Sequence, residues 1–216
     1  MTTLAEMITL VQVYLGDYPN PGTYTSEFLT PLLNLQQKSL ARKIAGYIPE
    51  YFEVEQEIQF ISGTQEYTLN SEPYCIRYVE IYEEGATIPI YTIKNFTDSR
   101  NKRSTKTSTG IPRDAYLSRD KIGFMPIPQG GVAKVVCVIL PEDMSVKVNM
   151  GLPNICKDVL ALRTATVVKA GIMSEPAEGL ATILTMSEKE LFEQIGTRTE
   201  SEQLIPSTDY MYYGEA

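Results

Sequence analysis

Glu53, Glu55 and Glu57, followed by Glu80, Glu83 and Glu84, come closest in this chain to a pattern that could do chemistry. Two carboxylates facing a cleft can split a glycosidic bond, and a cluster of them can hold a divalent cation. The spacing argues against both. Positions 53, 55 and 57 alternate, which lines up their side chains on one wet face of a strand, and 83–84 precede Gly85 in a turn. A calcium loop would need oxygen ligands at regular intervals around a glycine. The chain has no histidine, so Ser-His-Asp and Cys-His nucleophiles, paired-His zinc sites and most proton shuttles are excluded. Magnesium-assisted phosphoryl transfer could run on carboxylates alone, but the acidic residues are spread along strand and helix faces. We therefore expect no catalytic residues, no metal, no cofactor and no enzymatic activity. The three cysteines, Cys75, Cys137 and Cys156, stand far apart in apolar contexts; they are expected to be buried free thiols in a reducing compartment.

Two other patterns suit binding. Arg100, Lys102, Arg103 and Lys106 lie in a polar stretch with no acid between them. They could meet DNA phosphates or an acidic neighbour, or simply keep a loop solvated. Near the end of the chain, Leu204, Ile205, Pro206, Tyr210, Met211, Tyr212 and Tyr213 follow the last periodic segment. Tyrosine and methionine are enriched at interface cores, so these residues are read as a partner-binding segment in preference to one that folds back on its own domain. The formal charge of −8 speaks against a sequence-independent grip on nucleic acid.

The elements that must position these residues follow from a period that changes twice. Leu4, Met7, Ile8, Val11 and Leu15 predict a helix over 3–15. The breaker GDYPNPG follows, and Thr30-Pro31 reads as the N-cap and first position of a helix over 31–47. Leu33, Leu40, Ile44 and Tyr47 line its core side, with Gln36, Gln37, Arg42 and Lys43 on the wetter side. The period then drops to two, with Val54, Gln56, Ile58 and Phe60 on one strand face. Further strands are expected over 75–82, 88–93 (an edge, because of Pro89), in a hairpin over 116–125 and over 132–140. Helical spacing returns with Ile155, Val159, Leu162 and Thr166 over 154–171. A last helix over 176–196 carries Leu180, Ile183, Leu184, Leu191, Phe192 and Ile195 on one face and stops at Gly196.

The fold class is α+β: a four-helix bundle with an inserted antiparallel β module and an extended C-terminal tail. Its parts are N-terminal helices over 1–52, the β module over 53–141, C-terminal helices over 142–197 and an interaction tail over 198–216. No apolar run is long enough to span a membrane and no signal peptide is visible, so a soluble protein made in a cytoplasm is expected.

The order of pieces carries a resemblance over residues 1–200. The pieces are YLGDYPNP, LLNLQQKSLARKI, FISGTQEYTL, CIRYVEIYEEGATIPIY, GIPRDAYLSRDKIGFMPIP, LPNICKDVLALRTATVVKAG and MSEKELFEQI. In that order they resemble the head-to-tail connector (adaptor, or head-completion) proteins of tailed bacteriophages. The resemblance implies a virion structural protein, assembled in the host cytoplasm. It further implies a self-associated ring of about a dozen copies beneath the portal, a tail or nozzle protein as the other partner, and DNA in transient passage through the centre. The terminal segment from Leu204 to Tyr213 would then reach the portal. The acidic charge suits a solvated surface first, and it would also suit a channel wall that DNA must pass without sticking. Two rivals come from other classes: a tail or baseplate binding module, and a virion-associated hydrolase working with two carboxylates.

Overall fold

The computed structural model describes residues 2–18, 22–94, 96, 108–118, 121–172 and 176–203. The chain divides into two compact units, one of residues 1–48 and 141–216, the other of residues 49–140. Proline begins each crossing, at Pro49 and Pro141.

The first unit is helical. Helix α1 spans Leu4–Leu15 and starts in a capping box, in which the Thr3 hydroxyl accepts from the Glu6 N–H and the Glu6 carboxylate accepts from the Thr3 N–H. It ends at Gly16, whose φ of 78° closes the helix in the left-handed region. Helix α2, Ser26–Tyr47, begins five residues before Pro31. Thr25 is its cap, accepting from the Phe28 N–H. The Thr30 hydroxyl, expected to cap, instead donates back to the Ser26 carbonyl, and Pro31 sits exposed inside the helix. A 3-10 turn at Asn154–Cys156 leads into α3, Lys157–Thr166, which continues as a π-helical stretch at Val167–Ile172. Helix α4 spans Glu178–Gln203 and passes straight through Gly196.

Helix α3 packs against each of the other three, and so it is apolar almost all round: Val159, Leu160, Ala161, Leu162 and Ala165 are buried. Met7 and Val11 of α1, Leu29, Leu33, Leu40 and Ile44 of α2, and Leu191 and Ile195 of α4 complete this core. At its margin Glu188 of α4 receives Lys43 of α2 at 3.0 Å and Arg163 of α3 at 3.3 Å, and Arg163 also donates to the Ser39 hydroxyl. One carboxylate thereby ties three helices. Tyr47, expected on the core side, stacks on Phe192 with ring centroids 4.9 Å apart but stays exposed at the helix end.

The second unit is two antiparallel sheets. Strands β1 (Glu53–Gln59), β3 (Cys75–Tyr82), β4 (Tyr91–Ile93) and β7 (Val132–Val138) form one, in the order β1-β7-β3-β4. Strands β2 (Glu66–Thr68), β5 (Asp114–Ser118) and β6 (Lys121–Met125) form the other, in the order β2-β6-β5. The expected edge strand is an edge, shortened to three residues beyond Pro89. Ile58, Phe60, Val79, Ile81, Ile93, Ala133 and Val135 from the first sheet and its flanks share one core with Leu69, Ala115, Ile122 and Phe124 from the second. The rings of Phe60, Tyr67 and Phe124 meet at its centre, at 4.9–5.9 Å between centroids. Val54, by contrast, is exposed at the start of β1, where the alternation had placed it with Gln56 and Ile58.

Two glycines are dictated by close approach. Tyr116 and Gly123 face each other across β5 and β6, and the phenol ring occupies the space a Cβ at 123 would need. Gly131 has a φ of 99°, and a side chain there would meet the Tyr82 carbonyl.

Candidate functional site

The carboxylates lie on the outer face of the four-stranded sheet. Register puts Glu57, Lys134 and Glu80 in one row across β1, β7 and β3, and Glu55, Val136 and Tyr78 in the next. Lys134 reaches Glu55 at 3.2 Å and lies 5.4 Å from the centroid of the Tyr82 ring. Arg77 bridges Glu53 at 3.0 Å and Glu50 at 3.3 Å. The Tyr82 hydroxyl donates to Glu80 at 2.6 Å; that bond, with desolvation and the glutamate charges behind it, pushes the phenol up to about 12. The acids are thus interleaved with cations on an open sheet, each with its own neighbour, and Glu83 and Glu84 are exposed in the following turn. In the first row a lysine stands between the two acids, and the second row holds a single acid. Among the described residues no group of three or more His, Cys, Asp and Glu is placed to hold a metal ion.

The cysteines divide in a way the apolar contexts did not foretell. Cys137 and Cys156 are buried, but Cys75, at the first position of β3, is exposed. Burial pushes the Cys137 thiol up and the Cys156 thiol up to about 12. A thiolate-selective reagent at neutral pH should therefore modify one cysteine in the native protein and three after denaturation. Peptide mapping should find the native label on Cys75. Fast labelling of Cys156 in the folded chain would contradict its burial.

Arg100, Lys102, Arg103 and Lys106 lie outside the described residues, as do Leu204, Ile205, Pro206, Tyr210, Met211, Tyr212 and Tyr213. Helix α4 runs to Gln203, so the first residues of the stretch expected as an extended tail over 198–216 are helical, up to residue 203.

Sequence reasoning missed a surface in the helical unit. Ile183, read as a core residue of the last helix, is half exposed, and Met186 beside it more so. On α2, Phe28 and Leu35 are exposed on the side opposite Leu29, Leu33 and Gln37. The signal was present as apolar residues off the core stripe, Phe28 and Leu35 seven apart on α2 and Ile183 and Met186 three apart on α4. A helix carrying two apolar stripes presents one of them to something outside its own fold.

The described residues form an α+β chain whose surface carries interleaved charges and outward apolar stripes. The model of the SU10 adaptor protein family matches residues 2–203, nearly the whole chain, and the chain belongs to that family. It is a bacteriophage adaptor, a structural component of the virion whose contacts are with capsid or portal and tail components. No curated protein matches the chain in sequence. Among the described residues no helix is long and apolar enough to cross a membrane.

Proposed function

We propose that this chain is a head-to-tail adaptor without catalytic activity: copies of it form a ring beneath the portal, DNA passes through the centre, and the ring joins capsid to tail. The observation that carries the reading is the family match over residues 2–203, which covers both units. On this reading the four helices act as one bundle that docks in the ring, and the β unit supplies a second contact surface. The terminal segment holding Leu204, Ile205, Pro206, Tyr210, Met211, Tyr212 and Tyr213 grips the portal. Arg100, Lys102, Arg103 and Lys106 face DNA or a neighbouring subunit.

The terminal segment gives the experiment. Among the described residues the last buried apolar side chain of α4 is Ile195, so ending the chain after Glu202 removes no side chain of the described core. The truncated protein should melt within a degree or two of the full chain. Its capture by immobilised portal should fall at least about a hundredfold, because each aromatic buried at an interface contributes ~1–3 kcal/mol. Undiminished capture by the truncated chain would move the contact elsewhere. Failure of the full chain to be captured at all would contradict the adaptor reading.

A further inference from the structure

We propose that neighbouring subunits meet through two specific helix stripes, the outer stripe of α2 carrying Leu35 and Arg42 on one copy and the stripe of α4 carrying Ile183, Met186 and Glu190 on the next. This deepens the proposed function, since it rests on the ring reading and names the surfaces that build the ring.

Phe28 and Leu35 are 37% and 59% exposed on α2, and Ile183 and Met186 are 50% and 62% exposed on α4. These are large apolar side chains on helices that already bury another face, so each helix carries a second apolar stripe. Phe28, Leu35 and Arg42 are spaced by seven, which keeps them in line to within about 20° per step. Ile183 and Glu190 are also seven apart, with Met186 between them on the same side.

The two stripes match in order and in charge. On α2 an apolar residue is followed after seven positions by an arginine; on α4 an apolar residue is followed after seven positions by a glutamate. If the helices of two copies lie parallel with Leu35 against Ile183, one shared rise of about 10 Å sets Arg42 against Glu190. Among the described residues neither Arg42 nor Glu190 has an ion-pair partner in its own chain. Their close neighbours are already engaged: Lys43 on Glu188, Lys189 on Glu193.

The stripes cannot satisfy each other within one copy. Helix α4 meets α2 through Glu188 and Phe192, on Lys43 and Tyr47. Ile183 lies about 140° and 180° around α4 from those two residues, on its far side. Two different, complementary patches on opposite flanks make a heterologous contact, the kind that closes into rings. A second copy of this chain is therefore the occupant that both patches fit.

The test is a charge swap read on rings assembled with portal, by native mass and electron microscopy, alongside melting temperature and portal capture of the single subunit. Arg42→Glu and Glu190→Arg should each raise the concentration needed for ring closure about tenfold or more without lowering the melting temperature. The double variant should recover most of that loss, and Leu35→Ser or Ile183→Ser should weaken closure in the same way. If the wild type forms rings and the single variants close as well as it does, these stripes are not the contact, while the adaptor reading stands. Impaired singles that the double variant fails to rescue would overturn the Arg42–Glu190 pairing. If the wild type forms no ring with portal, the proposed function itself falls, and this assignment with it.

Discussion

Replacing Phe124 by alanine is expected to destabilise the β unit by about 3–5 kcal/mol. The side chain is fully buried in β6, with the Phe60 ring edge-on at 4.9 Å and the Tyr67 ring at 5.9 Å. Its backbone N–H bonds the Gln65 carbonyl, so the strand cannot readily shift to collapse the space left behind. The loss combines the transfer energy of the ring with a cavity that Ile122, Ala115 and Val135 are too constrained by pairing to fill. For a unit of this size the melting temperature should drop by at least ~12 °C. Ile88→Ala, at a side chain left 76% exposed, should change the stability by under about 0.5 kcal/mol. Equal effects from the two substitutions would mean that the aromatic cluster is not the centre of the core.

Gln37→Leu should cost about 2–4 kcal/mol, although it exchanges a polar residue for an apolar one of similar size in a core. Gln37 has no exposed surface. Its amide nitrogen donates to the Glu142 carbonyl at 2.9 Å, and its oxygen accepts from the Gly151 N–H at 3.1 Å. One turn earlier Asn34 does the same for Met144, accepting from its N–H at 2.8 Å and donating to its carbonyl at 3.2 Å. The segment between Pro141 and Gly151 contains no helix or strand, and these two amides supply the backbone partners that regular structure would have given it. Leucine at 37 leaves a part-buried carbonyl and N–H unpaired, each at ~1–3 kcal/mol. Chemical denaturation of the two proteins measures the difference. A variant as stable as the parent would mean that water takes over both bonds.

That glutamine also marks where the sequence stopped being legible. Polarity placed Gln37 on the wet side of its helix; the partners that bury it come from residues more than a hundred positions away, and no local pattern carries that. The change from helical to alternating period near residue 53, and back near 154, was legible because strands and helices with one buried face alternate at different periods. Every described strand lies between those points. Helix ends were harder. Thr30-Pro31 imitates a cap and first position, but Thr25 makes the capping bond, and a proline in the second turn forgoes only one backbone bond while its ring points to solvent. Gly196 imitates a stop, yet a terminal glycine ends a helix by turning left-handed. The backbone at 196 stays helical just after Ile195 enters the core. Ile183 looked like core because it falls near the apolar stripe, about 80° from Leu191 on the helix, and only the packing shows it outside. The wet face of β1 was read correctly from alternation, while the cations that neutralise it, Lys134 and Arg77, come from strands whose register no sequence pattern fixes.

The proposal that copies of this chain form a ring between portal and tail is tested by electron microscopy of the purified protein mixed with its portal. A closed ring of this chain is expected on one end of the portal, coaxial with the DNA channel and wide enough for duplex DNA. Portal that stays bare, or single copies bound away from the channel axis, would contradict it.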